Sequence, residues 1–180
     1  VSISQPHVRP IVRGKASQRV EFGAKISASH VDGFILLDRF SWDAYNETGD
    51  LTGQTEAFRQ RFGHYPESIH ADKIYQTRAN RAWCKDKGIR LTGKPLGRPR
   101  ELSREEKRRQ RQDEKDRIPI EGKFGNAKRK GTLQRVMAKL AVTSRTVVGI
   151  GLIVLNLDTL LRILRAVMAK LRESVVLRSF

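Results

Sequence analysis

Apolar and polar residues alternate over residues 19–29, and this pattern predicts a β-strand. Residues 30–33 are typical of a tight turn, and residues 34–42 predict a second, more continuously apolar strand. The two strands would pair as an antiparallel hairpin. Residues 1–5 are a candidate third strand of the same sheet.

In the next part of the chain, segments with helical spacing alternate with short segments that resemble strands. Residues 51–63 and 77–88 have helical spacing, and each segment ends at a glycine. Residues 67–75 and 89–93 are short and apolar enough for strands. Helices that alternate with short strands after a hairpin predict an α/β fold, with a mixed sheet covered by helices on both faces.

A polar segment follows, because residues 93–117 contain very few apolar side chains. Ser103 and Glu106 have the spacing of a capping box, which predicts that a charged helix begins there. Pro119 is expected to kink or restart that helix, since proline removes a backbone donor.

The C-terminal part is strongly apolar over residues 146–168. Asp158 and Arg162 interrupt the apolar run before it reaches the roughly 20 residues of a membrane span, so we interpret it as a long core helix. The predicted organisation is a catalytic-type core in residues 1–145, followed by a helix and tail in residues 146–180.

Charge is the most unusual feature of the composition. The chain has 36 Lys and Arg against 19 Asp and Glu, a net charge of +17. Such an excess favours a polyanionic partner, and nucleic acid is the commonest one. An anionic membrane surface and ribosomal assembly are the alternatives. Cys84 is the single cysteine, which excludes an intrachain disulfide and favours a cytoplasmic location.

Two acidic residues are candidates for chemistry. Asp72 lies on a predicted strand, at the end where the chain leaves the sheet, and a rigid sheet can fix a metal ligand there. The alternative for Asp72 is a helix cap or a turn. Glu121 lies four residues after Arg117 and seven before Lys128, so the three would share one stripe of a helix. The alternative for Glu121 is a simple ion pair on a solvated basic helix.

The chain resembles the catalytic core of bacterial insertion-sequence DDE transposases with a Tyr-x2-Arg-x3-Glu-x6-Lys signature. The motifs that carry the resemblance are "VRPIVRGKASQRVEFGAKIS", "WDAYNETGDL", "YPESIHADKIYQTRANRAWCKDKGIRLTGKPLGRP" and "IEGKFGNAKRKGTLQRVMAKLAVTS". The resemblance implies a ribonuclease-H-like fold in which Asp72 is the second metal-binding aspartate and Glu121 closes the triad. Arg117 and Lys128 would bind DNA phosphates.

The resemblance also implies a reaction and its cofactor. The family displaces a phosphodiester in line with two Mg²⁺ ions held by carboxylates, and Mn²⁺ can replace Mg²⁺. Double-stranded DNA would be the partner, and a homodimer would pair the two DNA ends. Further DNA contacts are expected from basic residues on the helix of Glu121: Lys123, Arg129 and Lys130.

Two departures from the family pattern change the expectation. Glu114 stands where the signature has tyrosine, and residues 1–10 contain no aspartate to serve as the first ligand. We therefore expect that ligand upstream of Val1, and little or no strand cleavage by the 180 residues alone.

Three alternatives remain at the level of sequence. The first is a non-catalytic DNA-binding remnant of a decayed transposase, and the second is a membrane-surface protein that uses residues 146–168. The third concerns residues 93–101 alone. They partly match an AT-hook that binds the minor groove, and the other interpretation is a loop that only adds positive charge.

Overall fold

Strands occupy the first part of the chain and long helices the last part, which confirms the mixed α/β class. The computed structural model describes residues 3–15, 18–93, 97, 101–130 and 132–178. Within these residues the strands form three separate two-stranded sheets, where the sequence predicted one mixed sheet.

Two antiparallel hairpins come first. Their strands are β1 (Arg9–Lys15), β2 (Gln18–Gly23), β3 (Lys25–Val31) and β4 (Phe34–Ser41). The β3–β4 hairpin turns at Asp32 and Gly33, whose φ angles are both positive, 49° and 88°. Positive φ at both central residues is the geometry of a tight hairpin turn, so the predicted turn and second strand are confirmed.

The first strand was predicted less well. The alternating run of residues 19–29 is divided at Ala24 between β2 and β3. Gly23 precedes the break, and a glycine weakens a strand because it has no side chain to pack. Residues 3–5 lie outside any strand, so for them the prediction of a third strand at the N-terminus is wrong.

A small helix-covered unit follows the hairpins. Its elements are α1 (Asp50–Phe62), β5 (Ser68–Ile69), α2 (Arg78–Asp86) and β6 (Arg90–Leu91). β5 and β6 pair in parallel, and Leu51, Cys84 and Ile89 form the buried core between them and the helices. Ile69 and Ala71 pack on this core. The side chains that alternate with them, those of His70 and Asp72, therefore point away from it.

The charged helix α3 spans Arg104–Lys130. Its capping box is present: Glu106 N–H donates to Ser103 Oγ at 3.1 Å, and Ser103 N–H donates to Glu106 Oε2 at 2.9 Å. Pro119 lies inside one continuous helix, so the predicted restart does not occur. Most of the proposed AT-hook lies outside the described residues.

The last helix, α4 (Ala141–Arg178), rests on the β3–β4 hairpin with its first half. Val148 and Leu152 are buried, and Asn156 forms two 2.8 Å hydrogen bonds with the backbone of Ile35. Thr159 is the last buried residue among the side chains of the helix that the structure describes, which end at Ser174.

The prediction that α4 is a core helix is therefore only partly correct. Residues 160–174 are exposed throughout, and much of the apolar surface before them is exposed as well. By length and composition, residues 141–174 could cross a membrane, and 17% of their most apolar 18-residue window is buried. Apolar side chains therefore lie on sides of α4 that do not pack against the rest of the described structure.

Candidate functional site

Asp72 lies where the chain leaves β5 and enters a short 3₁₀ turn at Lys73–Tyr75. It occupies the cap position of that turn, but its side chain makes no capping hydrogen bond. Its carboxylate is 66% exposed and accepts a hydrogen bond from Arg117 instead. Asp72 therefore has the backbone position of a helix cap, but its side chain does not form a cap's hydrogen bond.

Arg117 brings the two predicted acids together. Its Nη1 atom, which donates to Asp72 Oδ1, is also 3.1 Å from Glu121 Oε1. Asp72 and Glu121 are far apart along the chain, yet both touch one nitrogen atom. The ion pair that the spacing of Arg117 and Glu121 also predicted is present, and it extends to a third residue.

These three side chains line a cavity of about 500 Å³. β3, α1, the segment after β5 and α3 contribute its walls. The register of β3 against β4 shifts by one residue between Ser27 and Ala28, which line this cavity, and such irregularities often occur beside functional sites. The cavity is large enough for a phosphate group and its neighbours, and two acids with a guanidinium stand on its wall.

Two titratable side chains of the cavity wall are held neutral. Burial raises the pKa of Tyr75 to about 12, so its hydroxyl keeps its proton. Burial lowers the pKa of His30, and the charge of Lys123 lowers it further. The charged side chains of the cavity wall are therefore Asp72, Arg117 and Glu121, together with three further carboxylates, Asp32, Glu47 and Asp116.

The predicted basic residues separate into two groups. Lys128 and Arg129 are exposed near the end of α3. Lys123 is half-buried and donates a hydrogen bond to Thr159 on α4, and burial lowers its pKa. The prediction for Lys130 concerns a side chain outside the described part of the structure.

Sequence reasoning missed a second polar cluster beside the first. His70, Asp113 and Asp116 bring their ligand-type atoms within 4.8 Å of one another. Arg90 donates to both oxygens of Asp113, at 2.9 and 2.8 Å, which neutralises that carboxylate and raises the pKa of Arg90. Asp113 lies four residues before Arg117 on the same stripe of α3, so helical spacing could have identified it.

Comparison with known proteins gives one family. Residues 69–158, half of the chain, match a family model described as a transposase DDE domain. The matched residues include Asp72, Arg117 and Glu121 and end within α4. No curated protein matched the chain, and no solved structure did.

Proposed function

The chain belongs to the family of transposase DDE domains, so its function is related to transposition, and from this premise we propose that it binds double-stranded DNA and holds a divalent cation between Asp72 and Glu121. The observation that carries the proposal is the convergence of these two carboxylates on Arg117. The proposal includes a ribonuclease-H-like arrangement, a cytoplasmic location and a homodimer.

The residues present fit a hard divalent cation. Asp72 and Glu121 offer carboxylate oxygens, which Mg²⁺ and Mn²⁺ prefer, and both side chains are more than half exposed. DDE transposase domains use divalent metals, and such an ion stabilises negative charge on phosphoryl oxygens when it is bound. The neighbouring set of His70, Asp113 and Asp116 is a weaker candidate, because Arg90 already pairs with Asp113.

Arg117 has two parts in this proposal. It holds Asp72 beside Glu121 and neutralises part of their charge, so the carboxylates stay close without repelling each other. A guanidinium binds phosphate as well as carboxylate. We propose that Arg117 exchanges its carboxylate partners for a DNA phosphate when the two acids take up a cation.

Exposed basic residues supply the DNA surface. Lys128 and Arg129 follow Glu121 on α3, and the net charge of +17 adds attraction over the rest of the molecule. Phosphate contacts of this kind give affinity that falls with salt and does not read sequence. Lys123 is left out of this surface because its ammonium group is engaged by Thr159.

The test measures Mn²⁺ binding by calorimetry and duplex DNA binding by fluorescence anisotropy on the same variants. Asp72→Asn or Glu121→Gln should weaken Mn²⁺ binding by about tenfold or more, about 1.4 kcal/mol, and leave DNA affinity nearly unchanged. Lys128→Ala should do the reverse. Glu105→Gln, in the first turn of the same helix and also exposed, is the control and should change neither.

The competing proposal is a non-catalytic DNA-binding protein. The observation in its favour is that Arg117 already pairs with both acids, as a purely structural ion-pair network would. Mn²⁺ affinity that is equal in the parent and in both acid variants, with DNA binding retained, would favour this alternative over the metal site.

A further inference from the structure

α4 carries two apolar stripes on opposite sides. The inner stripe includes Val148 and Leu152, packs on the protein's own core, and ends at Thr159. The outer stripe continues past that point to Leu171. If α4 packed only against the core of its own chain, it would need apolar side chains on its inner side alone, and only as far as Thr159.

The outer stripe repeats every seven residues. Its apolar residues alternate in steps of three and four through three heptads, at Ile150, Ile153, Leu157, Leu160, Leu164, Val167 and Leu171. This spacing is the a and d pattern of helices that pack along one another. A third row, at Val154, Leu161 and Met168, widens the stripe to the breadth found in helical bundles.

The extent of this stripe suits a stable interface. The outer stripe, with its third row, has ten large apolar residues that are each 44–59% exposed. They present on the order of 1,000 Å² of surface, whereas an interface of standard size needs about 800 Å² from each partner. A contiguous exposed apolar area of this size marks an interaction site.

A lipid bilayer is a poorer occupant than another helix. Asn156 and Thr159 hydrogen bond with the β3–β4 hairpin, which ties the first half of α4 to the rest of the described fold. Beyond Thr159 the charged residues on the other sides of the helix are Arg162, Arg165, Lys170, Arg172 and Glu173. These charges suit a helix that contacts a partner on one side and water on the others.

We propose that the outer stripe of α4 is a dimer interface, in which it packs lengthwise against the same stripe of a second copy of this chain. A seam of repeating apolar residues is complementary to itself, so two copies can bury it by a twofold contact. The charged residues after Thr159 lie beside the seam, so they stay solvated in the dimer. This inference rests on the homodimer of the proposed function and assigns its interface, and it does not depend on the metal site.

The experiment measures the mass of the full chain in solution by sedimentation equilibrium. The expected result is a discrete dimer, twice the chain mass of 20.5 kDa. Leu157→Glu combined with Leu164→Glu should raise the dimer dissociation constant at least a hundredfold. Ala166→Glu with Ala169→Glu adds the same charge on the other side of the helix and should leave the dimer intact. Circular dichroism confirms that each variant is folded.

Several results would overturn the proposal. They are a monomer or a polydisperse aggregate at the same concentration, or a dimer that survives the Leu157 and Leu164 substitutions. A monomer that sediments with phosphatidylcholine–phosphatidylglycerol vesicles, and loses this binding in the same double variant, would assign the stripe to a membrane surface instead. Unchanged Mn²⁺ binding in the double variant would separate failure of this interface from failure of the metal site.

Discussion

The two long helices are attached to the rest of the protein by different chemistry. α3 is held through ion pairs of partly exposed groups, such as Arg90 with Asp113 at 2.8 Å and Arg117 with Asp72, and among its described side chains only the small Ala127 is a buried apolar one. α4 is held by buried apolar side chains and by the hydrogen bonds of Asn156 to a strand backbone. Exposed ion pairs contribute about 0–1 kcal/mol each, whereas truncating one buried leucine costs about 2–5 kcal/mol.

The difference agrees with what each helix is proposed to do. The partners of Arg117 must be exchangeable if the acids are to bind a cation and the guanidinium a phosphate, and weak, exposed contacts permit that exchange. The first half of α4 must hold its position if its outer stripe is to present a fixed surface. The contrast can be tested helix by helix.

The largest effect is expected from the anchoring residues of α4. Leu152→Ala should lower the free energy of unfolding by about 2–5 kcal/mol, because Leu152 is buried and its loss leaves a cavity. Ile118→Ala on α3 removes an apolar side chain that is 57% exposed, and should cost less than about 0.5 kcal/mol. Urea unfolding measures both. Equal costs would remove the contrast between the helices.

A smaller effect is expected when hydrogen bonding alone is removed. Asn156→Leu keeps the approximate shape of the side chain but leaves the backbone N–H and C=O of Ile35 without their partner, at a cost of about 1–3 kcal/mol. Asn126→Leu on α3 is the matched control, since Asn126 accepts one exposed bond from Arg129. Thermal unfolding should separate the two variants, and a stable Asn156→Leu protein would show that its hydrogen bonds do not anchor α4.

The smallest effect should have opposite signs in two assays. Arg117→Ala removes the cation that competes for Asp72 and Glu121, so Mn²⁺ affinity should rise about three- to tenfold, up to 1.4 kcal/mol. DNA affinity should fall, and the slope of log affinity against log salt should become shallower by about one contact. Lys128→Ala, which removes a proposed DNA contact, should weaken DNA binding without changing Mn²⁺ affinity. A loss of Mn²⁺ affinity in Arg117→Ala would mean that the arginine positions the two acids and does not compete with the cation for them.

Local features of the fold were predictable because their signals are local. The turn at Asp32 and Gly33 and the capping box of Ser103 each depend on a few neighbouring residues, and both are present. The division between β2 and β3 was not predicted, because the alternation of side chains continues across it and the partner strands decide where each pairs. β2 pairs with the strand before it and β3 with the strand after it, and the alternation of side chains does not show where one pairing ends and the next begins.

The part of the candidate site that lies on a single helix could be predicted from the sequence. The shared stripe of Arg117 and Glu121 follows from their spacing, and Asp72 was placed beside them by family resemblance. The pairing of Asp113 with Arg90 joins two distant segments and has no sequence signal of its own. For α4, the apolar pattern indicated a helix but gave no information on which side the core would cover.

The central claim is that Asp72 and Glu121 bind the same divalent ion, and a double-mutant cycle of Mn²⁺ affinity tests it most directly. If both carboxylates hold one ion, Asp72→Asn and Glu121→Gln should each remove most of the affinity, and the double variant should bind little more weakly than either single one. Losses that add independently, or single variants that bind Mn²⁺ as the parent does, would contradict it.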